Sequence, residues 1–344
     1  MRALRGSGSL GLLAALLLGL GAMAEAASTD FFRGKTIRII VGYAAGGGFD
    51  AYSRTLGRHL GRHVAGNPTV VIENMPGAGG LITANHIYRV AKPDGLTFGH
   101  FGGGLLEGQV LGQRGIEFDA RKFEYLGAPL RAYPVCAFTR ASGISTFEQW
   151  MAAKTPPKLG GVSTSSSSPD HAIKILKLAL GLPAQLVSGY KGTADIRLAA
   201  EAGELAGSCW PWSSIRATWR KALEAGEVTI VLQTGPTPHP ELANVPLAMN
   251  LARTDEGRKM IQVAIHDASV AFYLWALPPA TPKDRVEILR KALQDTLKDP
   301  AFLAEAEKAK LDIDPVTAAE IEKVVANLFS LDPGLVAKLK ELLL

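Results

Sequence analysis

The stretch "IRIIVGYAAGGGFDAYSR", Ile37–Arg54, decides the fold of this chain. It opens with a run of β-branched residues, which predicts a buried strand, and continues with two alanines and three glycines. Tyr52, Leu56 and Leu60 then recur at four-residue spacing, which predicts a helix from about Asp50 to His63. Adjacent glycines lose much backbone freedom on folding, so their place between a strand and a helix needs a reason.

The succession of strand and glycine loop occurs twice more along the chain. A second predicted strand, Thr69–Glu73, leads into "NMPGAGG" and a helix from about Leu81 to Ala91. A third strand, "LTFGHF", ends in the glycines Gly102–Gly104. Strands that alternate with helices indicate a parallel sheet, in which the carboxyl ends of the strands face one crevice. We therefore expect the three glycine loops to lie near one another.

The pattern starts again in the second third of the chain. "STFE", Ser145–Glu148, has the form of a capping box that opens a helix. Ser168 is predicted to cap a further helix, Pro169–Leu180, after the polar loop "TSSSSPDH". Strands and helices continue to alternate up to "VTIVLQT", and mostly helices follow.

This layout predicts an α/β fold with two lobes, each a mainly parallel sheet flanked by helices, and a ligand in the cleft. The chain would cross outward near Glu124–Pro129 and return near Val270–Pro278. Residues 28–130 and 271–344 would form lobe 1, and residues 131–270 would form lobe 2.

The first 27 residues differ in character from the rest. Arg2 and Arg5 precede the uncharged stretch "LGLLAALLLGLGAMA", and small residues follow. A basic start, an apolar middle and a small-residue end are typical of a secretory signal peptide, which we expect to be cleaved near Ala27. A membrane anchor is the alternative, but the glycines that interrupt the stretch favour cleavage.

The composition, with 47% hydrophobic and 20% charged residues, is that of a folded globular protein. The formal net charge is +5, and the basic residues are scattered without interleaved aromatics, so no nucleic-acid partner is expected. Cys136 and Cys209 could form one disulfide in an exported protein. Buried free thiols are the favoured prediction, because a core of this size needs no crosslink.

The glycine loops are interpreted as an anion site. Backbone without Cβ atoms lets several N–H groups approach a ligand, and a helix start adds the positive end of its dipole. The serine run before Pro169 would repeat the arrangement with hydroxyl donors, so a small molecule with carboxylates at its ends would suit both. The alternative is that the glycines only make tight turns. The predicted ligand-binding residues are Ala45, Gly46, Gly47, Gly48, Phe49, Asp50, Gly77, Ala78, Gly79, Gly80, Gly102, Gly103, Ser165, Ser166, Ser167, Ser168, Tyr190 and Trp210.

The chain resembles the substrate-binding proteins of the tripartite tricarboxylate transporters, often called the Bug family. The resemblance covers essentially the whole mature chain and rests on "IRIIVGYAAGGGFDAYSRTL", "VVIENMPGAGGLITANHIYRVAKPDGLTF", "GGVSTSSSSPDHAIKILKLALGL", "SGYKGTADIRLAAEAGEL" and "ALPPATPKDRVEILRKAL". It implies a two-lobed periplasmic binding fold, similar to type II, that captures an organic acid, often a dicarboxylate or an aromatic carboxylate. It also implies delivery of that acid to a membrane permease, without a cofactor, and a monomer is expected.

The chain departs from the family pattern at its two anion loops. The family usually has Pro-Pro before the first glycines and Thr after them, where this chain has Ala44-Ala45 and Phe49. The second loop usually carries glycines, whereas here it is a serine run. Phe49 removes a hydroxyl donor and adds apolar surface, so the ligand is expected to be less polar than a simple dicarboxylate.

An enzyme is the alternative function. "GGGFDA" has the form G-x-G-x-x-A after a strand, and Glu73 ends the next strand, which mimics a dinucleotide-binding fingerprint. An exported NAD-dependent oxidoreductase with a Rossmann-like first domain would carry these features. No convincing acid–base set accompanies them, so a non-enzymatic receptor is predicted.

Other single residues have plain structural interpretations beside functional ones. His59 and His63, four apart on a helix, could bind a metal, but a solvated basic face is preferred. Asp50 could hold a ligand amine or hydroxyl, or serve only as an N-cap. Tyr190, Trp210 and Trp212 lie at predicted strand ends and could wall the cleft or belong to the core.

Overall fold

A computed structural model describes residues 31–162, 168–190 and 192–344 of the chain. The predicted signal peptide, 1–27, and the predicted ligand residues Ser165, Ser166 and Ser167 lie outside these ranges. The strands of the described part are β1 Thr36–Val41, β2 Thr69–Asn74, β3 Thr97–Phe101, β4 Glu124–Ala128, β5 Pro134–Thr139, β6 Lys158–Gly160, β7 Gln185–Val187, β8 Gly207–Pro211, β9 Val228–Gln233, β10 Leu274–Leu277 and β11 Val316–Thr317.

The α-helices of the same part flank these strands. They are α1 Gly48–Leu60, α2 Leu81–Arg89, α3 Gly104–Leu111, α4 Phe147–Met151, α5 Ser168–Leu180, α6 Thr193–Glu201, α7 Trp212–Thr218, α8 Arg220–Glu224, α9 Ala248–Leu251, α10 Asp255–Ile261, α11 Ala268–Val270, α12 Lys283–Lys298, α13 Pro300–Lys308, α14 Ala318–Phe329 and α15 Pro333–Leu343. A π-helical segment, Gln262–Asp267, joins α10 to α11. None of the described helices is long and apolar enough to cross a membrane.

The first sheet has the strand order β11-β4-β10-β3-β1-β2. β1 pairs in parallel with β2 from Thr36↔Thr69 to Val41↔Asn74, and it also pairs in parallel with β3. β10 runs antiparallel between β3 and β4. The apolar residues of β1 are fully buried, because this strand lies inside the sheet with helices on both faces.

The second sheet has the order β7-β6-β8-β5-β9. β6 pairs in parallel with β7 and β8, whereas β5 is antiparallel to both β8 and β9. The prediction of two mainly parallel sheets flanked by helices is confirmed, with the addition that both sheets are mixed. β5, β10 and the short edge strand β11 are the strands that run against the others.

Two segments carry the chain between the sheets. The outward crossing follows β4, so the predicted crossing Glu124–Pro129 is mostly that strand. The return passes through the π-helical segment and α11 to β10. The Ala132 N–H donates to the Ser269 carbonyl at 3.0 Å, which ties the two crossings together. The boundaries at residues 130 and 270 stay predictions.

One local expectation needs correction. The cap of α4 is Thr146 and not Ser145, since the Thr146 hydroxyl accepts the Gln149 N–H. Ser145 instead donates from its N–H and its hydroxyl to Gln149 Oε1. In the third glycine cluster, Gly104 is the first residue of α3.

The prediction of free thiols is wrong, because Cys136 and Cys209 form a disulfide. The two residues are direct partners in the antiparallel register of β5 and β8, with Cα atoms 4.0 Å apart. This pairing brings the sulfurs together although 73 positions separate the residues in the chain. Both side chains are buried in the hydrophobic core.

Candidate ligand-binding site

A cavity of about 330 Å³ lies between the two sheets, where strands end and helices begin. This volume is in the range that holds small-molecule ligands. One side is formed by the loop after β1 together with residues that follow β3, and the opposite side by residues that follow β6, β7 and β8. The return crossing, with Ala264, Ile265, Ala268, Ser269, Phe272 and Tyr273, closes the floor.

Several helices start at this cavity. Gly48 of α1, Gly104 of α3, Pro169 of α5 and Thr193 of α6 all line it. Within the described residues, no side-chain cap is present at the start of α1, α3 or α6. The first-turn N–H groups of a helix have no intrahelical partner, and at α3 those of Leu105 and Leu106 donate to the carbonyls of Gly102 and Gly103. The positive ends of these dipoles converge on the same space. The described lining residues include no lysine or arginine, so backbone groups and helix dipoles supply the positive potential.

The glycine loop that precedes α1 is held by Asp50. Its Oδ2 accepts the Gly46 N–H and the Arg54 Nε–H, both at 2.9 Å, and its Oδ1 accepts from Asn74 at 2.9 Å. Burial raises the pKa of Asp50, but the hydrogen bonds from Arg54, Gly46 and Asn74 outweigh it and lower the pKa overall. Asp50 does not itself line the cavity. Its hydrogen bond with the Gly46 N–H fixes the loop, so that Gly46–Phe49 stay at the cavity wall.

Aromatic rings form the wall beside the glycine loop. Tyr43 and Phe49 stack with centroids 4.1 Å apart, and Phe49 also contacts Tyr273 at 4.5 Å and Phe272 at 5.6 Å. All four line the cavity. Burial raises the pKa values of Tyr43 and Tyr273 above the ordinary tyrosine value of 10, so both phenols are uncharged at neutral pH. The expectation that Phe49 adds apolar surface agrees with this arrangement.

Two ionisable residues meet across the cavity. Glu107 of α3 and His171 of α5 both line it, and His171 Nδ1 lies 3.2 Å from Glu107 Oε2. Their exposed fractions are 1% and 3%. Among the residues that the structure describes, Glu107 Oε1 and His171 Nε2 have no hydrogen-bond partner. An acidic residue of α6, Asp195, also lines the cavity.

The structure brings one group of predicted ligand residues together at the cavity wall: Ala45, Gly46, Gly47, Gly48, Phe49, Gly102 and Trp210. Trp210 is fully buried, stacks on Trp219 at 5.2 Å and lines the cavity as well, so it serves both roles that its position suggested. Ser168 belongs to the first turn of α5. Ligand contact by any of these residues stays a prediction.

The remaining predicted residues of the described part lie elsewhere. Gly77, Ala78, Gly79 and Gly80 form the loop behind Tyr43, whose hydroxyl donates to the Gly79 carbonyl at 3.0 Å. Gly103 is the N-cap of α3, between two residues that line the cavity. Tyr190 is half-buried, and its N–H donates to the Gly161 carbonyl. The second glycine loop therefore supports the aromatic wall from outside.

His59 of α1 and His63, which lies in the turn after α1, have structural partners. His59 Nε2 lies 2.6 Å from Glu305, and His63 Nε2 lies 2.7 Å from Asp299. His59 is buried, so the expected solvated basic face is wrong for this residue. These contacts join α1 to α13. In the described part no cluster of three or more His, Cys, Asp or Glu side chains could hold a metal ion.

Sequence reasoning missed Glu107, His171, Phe272 and Tyr273 as lining residues. Glu107 is an acid in the otherwise uncharged run "GGGLLEGQVL" directly after a glycine loop, which is a usable signal. His171 lies in the first turn of a helix whose start was already predicted as an anion site. Phe272 and Tyr273 belong to the predicted return crossing, and only the tertiary fold shows that this crossing floors the cavity.

Solved structures of periplasmic binding proteins share this fold. The periplasmic binding protein BugD is 21% identical, with a TM-score of 0.68 over 90% of this chain and 98% of its own. MatC from Rhodopseudomonas palustris with bound malate is 16% identical, with a TM-score of 0.68 over 91% of this chain and 100% of its own. A second R. palustris protein, with adipate, is 19% identical, with a TM-score of 0.69 over 90% and 98%.

Curated relatives match shorter segments. A protein from the gbd 5′ region of Cupriavidus necator is 42% identical over 80 residues, which is 23% of this chain and 24% of that protein. A UPF0065 protein of Bordetella bronchiseptica is 32% identical over 146 residues, which is 42% of each chain. The chain thus aligns with less than half the length of either relative.

A family model matches far more of the chain. The description of that family is "Tripartite tricarboxylate transporter family receptor", and the match extends over residues 54–332. Members of this family are solute-binding receptors and not enzymes, which removes the oxidoreductase alternative. The match covers most of the two mixed sheets, and this chain therefore belongs to the family of tripartite tricarboxylate transporter receptors.

Proposed function

We propose that this receptor captures a small organic acid in the periplasm and delivers it to the membrane permease of a tripartite tricarboxylate transporter. The observation that carries the proposal is the convergence of the starts of α1, α3, α5 and α6 on one cavity. Uncapped helix starts present N–H donors and positive dipole ends, which together favour a carboxylate. The bound malate and adipate of the two R. palustris proteins support an acid as the ligand class.

The carboxylate would lie at the loop Gly46–Phe49. The N–H of Gly46 is already bound to Asp50, which leaves Gly47, Gly48 and Phe49 as the donors nearest the start of α1. The helix dipole stabilises an anion there without a basic side chain. Tyr43, Phe272 and Tyr273 would cover the apolar part of the ligand.

The location and the partner belong to the same proposal. The basic and apolar start of the chain would act as a signal peptide cleaved near Ala27, so the mature receptor would reach the periplasm as a monomer. Lobe 1, 28–130 with 271–344, and lobe 2, 131–270, would close on the ligand about the paired crossings at Ala132 and Ser269.

A thermal-shift screen tests the function. The purified protein is heated with a panel of mono- and dicarboxylates and, in parallel, with a nicotinamide dinucleotide. An acid present at a hundredfold excess over its Kd should raise the free energy of unfolding by about 2.7 kcal/mol. Uncharged amides of the same acids serve as controls and should give no shift. A shift with the dinucleotide alone would overturn the proposal.

A further inference from the structure

We propose that the Tyr273 hydroxyl donates a hydrogen bond to the ligand carboxylate at the start of α1. This inference rests on the proposed function and adds a side-chain donor to a site that otherwise consists of backbone N–H groups. Tyr273 lies directly before β10, in the return crossing. The donor therefore reaches the glycine loop from a distant part of the chain.

The Tyr273 hydroxyl lies beside the first turn of α1. A Cβ added to Gly48, the first residue of α1, would lie 3.0 Å from the hydroxyl oxygen. The N–H groups of Gly47, Gly48 and Phe49 favour an anion at this helix start. The ring is held there by contacts with Phe49 and Tyr52, with centroids 4.5 and 5.0 Å apart. Both Tyr273 and Gly48 line the cavity, so a ligand can reach both.

The Tyr273 side chain is buried, with 2% exposed, but its hydroxyl is not satisfied as those of other tyrosines are. In the described part of the chain, the hydroxyls of Tyr43, Tyr52 and Tyr125 donate to backbone carbonyls at 2.7–3.0 Å, whereas that of Tyr273 has no such partner. It faces Ser213 of α7, whose Oγ also has no hydrogen-bond partner among the described residues. A buried hydroxyl in this state is unfavourable, and at a cavity wall it indicates a ligand that satisfies it.

The missing partner of this hydroxyl is an acceptor. Burial raises the pKa of Tyr273 above the ordinary tyrosine value of 10, so the phenol keeps its proton at neutral pH. A protonated phenol can donate one hydrogen bond, and a carboxylate can only accept. The bond to an anion is also stronger than the bond to a neutral acceptor. The loop Ala44–Phe49 has no polar side chain of its own, so Tyr273 supplies the side-chain donor that the loop lacks.

Titration calorimetry of wild type and Tyr273→Phe tests this contact, with every acid of the thermal-shift panel as a probe, including malate, adipate and benzoate. The variant keeps the ring and removes only the hydroxyl. Each acid that binds wild type should bind Tyr273→Phe about tenfold to a hundredfold more weakly, as expected for the loss of a hydrogen bond to a charged group. Without acid, the unfolding temperature should not fall, because the hydroxyl has no carbonyl partner to leave unpaired.

Tyr125→Phe is the matched control, because Tyr125 is also buried and is not among the described residues that line the cavity. Its hydroxyl donates to the Ala120 carbonyl at 2.7 Å, so the variant should unfold at a lower temperature than wild type. Its affinity for the acids should stay within about twofold of wild type. The two variants should therefore show opposite patterns, one losing affinity and the other losing stability.

Ser213→Ala separates a ligand contact from a contact between the two sheets. If the Tyr273 hydroxyl acted only by holding α7, Ser213→Ala would weaken acid binding as much as Tyr273→Phe does. That result would overturn the inference. Because Ser213 is not among the described lining residues, a direct contact between Tyr273 and the acid predicts nearly wild-type affinity for Ser213→Ala.

The outcomes distinguish this inference from the proposed function. If acids that bind wild type bind Tyr273→Phe with unchanged affinity, the inference fails while the carboxylate receptor stands. If no acid of the whole panel binds wild type, the proposed function fails, and the inference fails with it.

Discussion

Gly46 and Gly48 are required in the same loop for different structural reasons. Gly46 has φ +83°, a conformation that residues with a Cβ rarely adopt. Gly48 has an ordinary backbone, but a Cβ added there would lie 3.0 Å from the Tyr273 hydroxyl oxygen. The first glycine therefore allows the turn, and the second allows the aromatic floor to approach the start of α1.

Gly48→Asp should leave the protein folded and abolish acid binding. The new carboxylate would lie at the start of α1, where the helix dipole stabilises it by about 0.3–1 kcal/mol. It would also repel the ligand carboxylate from the same N–H groups. Circular dichroism should show the native spectrum, and the ligand-induced thermal shift should disappear.

Gly48→Ala is the control for that experiment. It introduces the same contact with Tyr273 without a charge, so both variants should lose similar stability, while alanine should weaken acid binding only modestly. An aspartate variant that binds the acid as well as the alanine variant would remove this loop from the binding site.

Asp50→Asn should lower the free energy of unfolding by about 1–2 kcal/mol at pH 7, because the three hydrogen bonds to the carboxylate include one from Arg54. The pKa of Asp50 is lowered in the folded state from its ordinary value of 3.8. Its contribution is therefore complete above the unfolded pKa and is lost as the pH falls through the folded pKa.

The pH dependence of the free energy of unfolding tests whether the charge of the Asp50 carboxylate, and not only its shape, stabilises the loop. Denaturant unfolding of wild type and Asp50→Asn should differ fully near neutral pH, and the difference should shrink in acid. Asp314→Asn, which removes the same charge at an exposed position, should cause little change at any pH. A difference that stays constant down to acid pH would contradict the assignment of the charge to this network.

At the scale of elements, the disulfide fixes β5 against β8 in the centre of the second sheet. Cys136→Ala/Cys209→Ala should lower the free energy of unfolding by about 2–4 kcal/mol, because the bridge closes a loop of 73 residues in the unfolded chain. Neither cysteine lines the cavity, so acid binding should persist. Chemical unfolding with and without a thiol reductant provides the comparison. Equal stability of the variant and the oxidised wild type would contradict this account.

The elements that the sequence predicts well are those with local signals. β1 and α1 follow from an apolar run, a glycine loop and a four-residue repeat, and both occur within three residues of the expected bounds. The disulfide was missed because the register of β5 and β8 is a long-range property. The facing of Glu107 and His171 was missed for the same reason, since 64 positions separate them. The glycine loop was predicted because three adjacent glycines between a strand and a helix are visible in the local sequence.

At the scale of the molecule, Arg216 connects the two halves of the structure. It follows β8 in α7, and its Nη2 binds Asp312 Oδ1 at 2.6 Å in the segment that leads to β11. The Tyr52 hydroxyl of α1 donates to the Asp312 carbonyl at 2.9 Å. Arg216 also binds Glu241. This network joins the second sheet to the first at a point outside the cavity wall.

Arg216→Gln should weaken acid binding about threefold to tenfold if the lobes close on the ligand as proposed, because the partly buried ion pair with Asp312 that joins the two sheets is lost. Small-angle scattering should show a smaller radius of gyration for wild type with ligand than without, and a smaller decrease for the variant. Arg220→Gln is the control, since its partner Glu224 lies one turn away on the same helix. Equal decreases in wild type and Arg216→Gln would exclude this ion pair from closure.

The place of β10 in the first sheet has a consequence for the order of folding during vectorial synthesis. β5 to β9 lie in one continuous stretch of chain, so the second sheet can assemble as soon as that stretch has emerged. β3 and β4 are joined only through β10, which emerges more than a hundred residues later. A nascent chain stopped at residue 260 should therefore protect residues 134–233 from protease and leave residues 36–128 susceptible. Until β10 has been made, such a chain keeps its first sheet incomplete, which is the state that the proposed export through a secretion channel would require.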